Sequence, residues 1–323
     1  MALSRIDYLE YLLRIYILKQ GTITKSWKGP SMISRDSLNQ APVEWAYPLD
    51  FSNDIKPELL TDDSGIPMID YASMGLQYNP WFVGHIALGY HSKWKKDGKK
   101  YNFEQFIKLA EWFVNTGIKT DNGLVWHYNF DYFGGQKKPW KSGLSQAHGV
   151  STLIRAASIT GSKVYSDSAR LAINQMITTY DKGGMAFKRE DGTISFEEYF
   201  SDPPYSVLNG HLFSTFACWE ASKYFNDEKL KSAADLAFEF VSNRLQLYDT
   251  GFWSKYSLNK IGILCDIASS HYHNVHVSQL EVASLLTKRP EFKEYTEKFK
   301  AYECNRFCRY KSLLYKIITK LLS

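Results

Sequence analysis

Residues 207–224 read VLNGHLFSTFACWEASKY, and residues 228–245 read EKLKSAADLAFEFVSNRL; how this pair is interpreted decides the fold. Both stretches space their apolar residues for a helix, and Asn226–Asp227 between them is a stop followed by a new start. The second intersperses Lys229, Lys231, Asp235 and Glu239, as a helix with one wet side does. It is the outer member of the pair. The first becomes the inner member, although it carries Asn209 and His211.

The pair recurs. Trp81–Trp94 precedes Phe103–Thr116, Leu144–Ile159 precedes Val164–Tyr180, and Val275–Leu286 precedes Glu291–Tyr302, with Gly117 and Gly161 as further stops. The first helices of successive pairs start about 64 residues apart. Regular hairpins at such a period predict a mainly α fold of about four hairpins, closed or partly closed into a toroid. The inner helices carry His85, Gln146, His148, Asn209, His211 and His276. Buried polar groups need partners, so this series predicts a lined interior cavity.

Connections within a pair are short. Those between pairs, Asp121–Trp140, Lys182–Tyr205 and Asp249–His273, are long and aromatic. Each has a glycine turn leading into strand-like residues, as in Gly123-Leu-Val-Trp126-His-Tyr128. In a helical toroid all such connections emerge at one end, so short β-hairpins form one mouth there, and long loops are where function concentrates. Residues 20–79 are rich in Gly, Pro, Ser and Asp, an extended N-terminal arm ending in the turn Gly75-Leu-Gln-Tyr78-Asn-Pro80. The expected organisation is a terminal helix and arm over 1–79, a toroid over 80–303 and a basic amphipathic helix over 304–323.

Composition narrows the function. Aromatic residues make up 15% of the chain, a content that suits sugar clefts, where a ring face packs on a pyranose and its polar edge bonds a hydroxyl. The net charge of +5 is compatible with an acidic partner. No basic run or nucleic-acid motif is present, which sets nucleic acid aside. Four cysteines, Cys218, Cys265, Cys304 and Cys308, do not form a disulfide framework for a chain this long, which favours a reducing compartment. No stretch reaches the roughly 20 apolar residues of a membrane span. Two terminal segments, Ile6–Leu18 and the region of Leu314, Ile317, Ile318 and Leu321, are amphipathic. Docking on the body of the fold is the preferred reading for them, and peripheral contact with an anionic membrane is the other. The expected location is cytoplasmic, with the inner membrane face as an option.

Phosphate-binding, dinucleotide and zinc motifs are absent. His271-Tyr-His273-Asn-Val-His276 suggests metal, but no companion carboxylate sits on a matching element, so hydrogen bonding to sugar is preferred. A carboxylate and tyrosines remain: Glu197-Glu198-Tyr199, Tyr256 and Tyr272. Neighbouring glutamates on an extended segment point to opposite sides, so one can face a cleft while the other faces solvent or a structural partner.

These segments resemble the heparosan/heparan glucuronyl C5-epimerase family. The likeness rests on Glu197-Glu198-Tyr199 with Val207-Leu208-Asn209-Gly210, Tyr248-Asp249-Thr250-Gly251 with Tyr256, and Tyr272-His273 with His276 and Gln279-Leu280. Lys141-Ser142-Gly143-Leu144-Ser145-Gln146 and Tyr47-Pro48-Leu49-Asp50-Phe51-Ser52 extend it, so that it covers about residues 45–300. The resemblance implies an incomplete α/α toroid that converts D-glucuronate to L-iduronate within an acidic polysaccharide. It implies Glu198 and Tyr272 as the proton-transfer pair, with Tyr199 and Tyr256 lining the same site. Tyr78, Trp126, Tyr128, Trp140, Lys141, Gln146, His148, Asn209, His211, His273 and His276 are the expected substrate-binding residues. Asn259 stands where animal members carry an arginine; if that arginine binds the substrate carboxylate, Lys255, Lys260, Lys141 or a histidine is expected to replace it here. The family's calcium ligands find no match, and neither metal nor cofactor is expected.

The chemistry suits these residue types. Removing the proton at C5, beside a carboxylate, needs donors on that carboxylate, a base on one ring face and an acid on the other. A desolvated glutamate is a better base, and a tyrosine, with a pKa near ~10, is a protonated donor. Three other readings remain: a polysaccharide lyase, a hydrolase pairing Glu198 with Asp202, and a binding protein without catalysis.

Overall fold

The computed structural model describes residues 32–33, 47–71, 74–132, 135–201, 203–261 and 263–322. The amphipathic segment Ile6–Leu18 and Asp202 lie outside them. Strands β1 (Met32–Ile33) and β2 (Leu49–Asp50) pair antiparallel, as do β3 (Ile69–Tyr71) and β4 (Gly75–Gln77). Helices α1 (Pro80–Asp97) and α2 (Lys100–Thr116) follow, then hairpin β5 (Ile118–Thr120) and β6 (Gly123–Val125). The unit repeats: α3 (Gly143–Thr160), α4 (Lys163–Ile177) and hairpin β7 (Ala186–Lys188) and β8 (Ile194–Phe196). Next come α5 (Leu208–Phe225), α6 (Glu228–Ser242), the single turn α7 (Leu245–Tyr248) and hairpin β9 (Lys255–Ile261) and β10 (Leu264–Ile267). Helices α8 (Ser270–Thr287), α9 (Pro290–Cys304) and α10 (Arg306–Leu322) complete the chain. The fold is mainly helical, with short antiparallel strand pairs.

Inner helices α1, α3, α5 and α8 start 63, 65 and 62 residues apart. They form a row, α1 on α3, α3 on α5 and α5 on α8, and each also packs on the outer helix that follows it. Each ends in a left-handed residue, Gly98, Gly161, Asn226 or Lys288, whose backbone N–H returns to a carbonyl of the last turn. Helix α8 begins at Ser270, five residues before Val275, because the Ser269 hydroxyl caps it by accepting from the Tyr272 N–H at 3.3 Å. Tyr272 therefore stands in the first turn of a helix, not at the end of a loop.

The sequence predicts that the inner-helix polar residues line a cavity. The structure gives most of them another task. Gln146 Nε2 donates to the Ala172 carbonyl at 2.9 Å, His211 Nε2 bonds that of Ala237 at 2.9 Å, and His273 Nε2 that of Phe299 at 3.0 Å. Each pair is 26 residues apart and joins the first turn of an inner helix to its outer partner. The other side of the same groups holds the preceding connection: Gln146 donates to the Leu124 carbonyl, His211 Nδ1 accepts from Phe196 N, and His273 Nδ1 from Ser254 N. Burial pulls both imidazoles down to about 4, so they stay neutral and keep Nδ1 as an acceptor. These residues clamp each hairpin and outer helix to an inner helix.

The segment around β2 enters the core. Tyr47, Leu49 and Phe51 are buried, and Phe51 sits on His85 with ring centroids 4.1 Å apart, within reach of His148 and Phe213. Burying a side chain of this size contributes roughly 2–3 kcal/mol. With β2 against α1 and β1 against α8, this pair bridges the first and last inner helices. His148, also at the centre, uses Nδ1 on the Leu144 carbonyl at 3.0 Å.

Candidate active site

The hairpins that precede the inner helices bring their ends together at the helix N-termini. A cavity of about 170 Å³ lies there. Its wall takes Asn79, Trp81 and Phe82 from the start of α1, Ser142 and Leu144 from α3, Asn209 and Phe213 from α5, and Tyr272 from α8. The connections add Tyr71, Tyr128, Tyr132, Trp140, Glu198 and Tyr199. Four helix N-termini, each the positive end of a peptide dipole, thus border one pocket. No lysine or arginine lines it among the described residues.

Glu198 leaves the chain two residues after β8 and lies across the start of α5. A Cβ on Gly210 would stand 2.6 Å from Glu198 Oε2, so only glycine lets the carboxyl rest there. Tyr256 donates its hydroxyl to Glu198 Oε1 at 3.3 Å, and Asn209 Nδ2 to Oε2 at 3.4 Å. Burial lifts the Glu198 pKa to about 7, against the lowering effect of its hydrogen bonds from Tyr199, Tyr256 and Asn209. Burial first, and the Glu198 charge second, hold the phenols of Tyr199, Tyr256 and Tyr272 well above their ordinary value. Tyr256 is also hydrogen-bonded to Tyr272, their rings 4.9 Å apart, and so stands between Glu198 and Tyr272.

Glu197 takes the opposite course. It is fully buried, and its carboxylate accepts from Arg189 at 2.8 Å, Ser195 at 3.0 Å and the Ser206 backbone at 2.8 Å. Just beyond the strand, one glutamate thus turns to a structural partner and its neighbour to the pocket. Ser206 has φ 51°, and its carbonyl accepts from Tyr248 Oη at 2.8 Å, which fixes the loop between Glu198 and α5.

The aromatic side is a stacked wall. Tyr128 lies on Trp140 with centroids 3.8 Å apart and 6° between planes, and Tyr132 stacks on Tyr199 at 5.8 Å. Tyr71, whose hydroxyl accepts from Asn79 Nδ2 at 2.8 Å, has its pKa pushed up to about 12 by burial.

Comparison with known proteins fits this assembly. The model of the family described as D-glucuronyl C5-epimerase C-terminus matches residues 120–301, more than half of the 323. The chain belongs to the D-glucuronyl C5-epimerase family. An uncharacterised protein of Methanocaldococcus jannaschii is 31% identical over 233 residues, 64% of this chain and 71% of that protein. The D-glucuronyl C5-epimerase of Caenorhabditis elegans is 32% identical over 156 residues, 44% of this chain and 25% of the worm protein. The chain therefore spans about a quarter of that enzyme. Among solved structures, the cellobiose 2-epimerase of Spirochaeta thermophila DSM 6192 superposes with a TM-score of 0.55 at 11% identity, covering 92% of this chain and 84% of that one. That likeness concerns the fold alone.

In this family member the matched stretch carries Glu198, Tyr199, Tyr256 and Tyr272, whereas Tyr71, Asn79, Trp81 and Phe82 close the pocket from outside it. Of the residues expected from sequence, Glu198, Tyr272, Tyr199, Tyr128, Trp140 and Asn209 line the pocket, and Tyr256 reaches it through Glu198. Others do not converge there. Trp126 is sealed in the core, its indole N–H on the Phe113 carbonyl at 2.9 Å and its ring against Gly149. Tyr78 donates to Asp62 at 2.6 Å and borders a separate groove with Trp112. Lys141 Nζ is committed to the carbonyls of Gly183 and Gly184, at 2.6 and 3.0 Å, and so braces one loop on another. Gln146, His211 and His273 are the clamps described above, and His148 belongs to the aromatic centre. His276 bonds Ser254 Oγ at 2.9 Å. Asn259, on β9, is exposed.

Sequence reasoning missed Tyr71, Trp81, Tyr132 and Ser142. Tyr132 sits in a connection already marked as aromatic, and Ser142 precedes an inner helix, so position in the repeat could have found both. Among the described residues no cluster of His, Cys, Asp or Glu is arranged to hold a metal ion.

Proposed function

We propose that this chain is a polysaccharide glucuronate C5-epimerase that converts D-glucuronate to L-iduronate within a polymer. The observation that carries this reading is Glu198: a buried carboxyl with a pKa near neutrality, no cationic hydrogen-bond partner among the described residues, and tyrosine hydroxyls around it. A base must be able both to take a proton and to give it up at working pH, and this setting provides that. In the same reading the four hairpins form an incomplete α/α toroid, its mouth at the hairpin end.

Glu198 takes the C5 proton, and the electron pair passes into the adjoining carboxylate as an enediolate. Tyr272 gives its hydroxyl proton to C5 from the other ring face and becomes a tyrosinate. Tyr256 then resets the pair, passing its own proton to Tyr272 and receiving the one on Glu198. The enediolate needs positive potential. With no guanidinium or ammonium in the pocket wall, the helix N-termini supply it, together with Asn209 and the Ser142 hydroxyl. Stacked Tyr128–Trp140 and Tyr132–Tyr199 suit the faces of sugar rings.

The test is product identity. Heparosan and its N-sulfated form, incubated with the protein, are expected to yield L-iduronate by proton NMR with no rise in ultraviolet absorbance. An unsaturated C4–C5 product would make the protein a lyase. Unchanged polymer, with binding retained, would make it a carbohydrate-binding protein.

A further inference from the structure

Helix α10 carries apolar residues on two sides. The side formed by Cys308, Ser312, Tyr315 and Thr319 packs on the body of the fold, where the Tyr315 hydroxyl meets Cys265 N at 2.9 Å and Lys316 faces Asp266 at 3.9 Å. The sequence posed docking and membrane contact as alternatives for this helix, yet docking uses only one of its sides. The other carries Phe307, Tyr310, Leu314 and Ile318, which are 72, 48, 58 and 40% exposed. Their spacing of three, four and four residues makes a single stripe, about 16 Å long at 1.5 Å per residue.

A second element beside this helix also exposes apolar residues. The β9–β10 hairpin is tied to α10 through Cys265, and its tip carries Ile263 at 92% exposure, beside Ile261 at 36%. Ile263 is two residues from Cys265, about 7 Å along a strand. A fully solvated isoleucine at the tip of a hairpin that is tied to this helix has no role in the core.

We propose that α10 and the tip of the β9–β10 hairpin form one face that seats the protein on an anionic lipid surface. Charge selects the occupant. Residues 306–322 contain no acidic residue; Lys316 is turned to Asp266, which leaves Arg306, Arg309, Lys311 and Lys320, and Lys260 is exposed on the adjoining strand. Two copies of this chain meeting through the stripe would set these like charges against one another, whereas anionic headgroups neutralise them. A helix of this length and charge lies in the plane of the interface with its apolar side in the headgroup region, and none of the described helices is long and apolar enough to cross a membrane. Tyr256 belongs to the same hairpin, so the surface would hold the mouth of the pocket near the membrane. This inference does not depend on the reaction proposed above.

The experiment is flotation of the full chain with phosphatidylcholine vesicles and with vesicles containing about one-third phosphatidylglycerol. Three basic groups near the surface predict a partition coefficient on the order of a hundredfold higher for the anionic vesicles, and about 1 M salt should collapse the difference. Phe307→Glu with Leu314→Glu is expected to lower binding at least about tenfold, and Ile263→Asp by a smaller factor, with thermal melting unchanged because all three side chains are exposed. Equal binding to both vesicles, no binding to either, or undiminished binding by the glutamate variant would overturn the proposal. So would sedimentation showing a dimer that the glutamate variant dissolves, since the stripe would then be an interface between copies.

Discussion

Helix α5 has a buried carboxylate near each end, and their surroundings differ. Towards the C-terminal end, Glu220 accepts from Arg155 Nη2 at 2.5 Å, from Nη1 at 3.1 Å and from Ser151 at 2.7 Å, with the Tyr47 ring against the guanidinium. At the N-terminal end, the donors to Glu198 among the described residues are neutral: Tyr256 and Asn209, at 3.3 and 3.4 Å, and Tyr199. One end satisfies its charge and ties α3 to α5. The other leaves its carboxyl poised between two protonation states. Burial alone does not single out a candidate catalytic group; a buried acid without a fixed cation is what supports the proposal for Glu198.

Substitution at the two ends should break different properties. Glu198→Gln is expected to lower C5 exchange about 1,000-fold or more while the protein stays folded, as measured by exchange kinetics and circular dichroism. Arg155→Met strands the Glu220 charge and should cost about 3–5 kcal/mol in urea unfolding, with the activity per folded molecule retained. If Glu198→Gln instead unfolds the protein, or Arg155→Met leaves it as stable as before, the contrast fails.

The pH dependence of stability sharpens the same comparison. Glu198 binds its proton more tightly folded than unfolded, since its folded value is about 7 and an unfolded glutamate is near ~4.3. Between these values the folded state holds the extra proton, so stability falls as pH rises through this window, by on the order of 3 kcal/mol for this group. Below the window the penalty is absent. Denaturation of the wild type and of Glu198→Gln at pH 5 and pH 8 should show this loss in the wild type alone.

Smaller effects concern position. Gly210→Ala places a methyl 2.6 Å from Glu198 Oε2 and 2.7 Å from its Cβ, so the carboxyl must move. A roughly 10- to 100-fold loss in exchange with little change in melting is expected. Tyr256→Phe removes the group between Glu198 and Tyr272. It should slow repeated turnover about tenfold, while a single turnover with enzyme in excess is affected less.

Much of this was legible in the residues. The helix pairs, their period and the hairpins before the inner helices follow from hydrophobic spacing and glycine stops. Glu198 and the tyrosines, which the structure gathers at one pocket, were picked out through motifs in sequence order, because short motifs keep their place on a repeated frame. The roles of the polar inner-helix residues were not legible. Gln146, His211 and His273 read as pocket groups, because a sequence cannot say whether a buried imidazole meets a ligand or a carbonyl 26 residues away. Trp126 and Lys141, also expected to bind substrate, take backbone carbonyls as partners in the same way. Their partners, Phe113 and Gly183–Gly184, become neighbours only after folding. Tyr71 and Trp81 were hidden because their pocket wall comes from the arm and the first inner helix, away from the motif-bearing loops.

The most direct test of the central claim is the pH dependence of C5 proton exchange into deuterium oxide, followed by NMR on a glucuronate polymer with wild type and Glu198→Gln side by side. The account predicts that wild-type exchange falls about tenfold per pH unit below about 7, and that the variant shows neither the activity nor that ionisation. Exchange in the variant at the wild-type rate, with the same pH profile, would contradict it and place the base elsewhere.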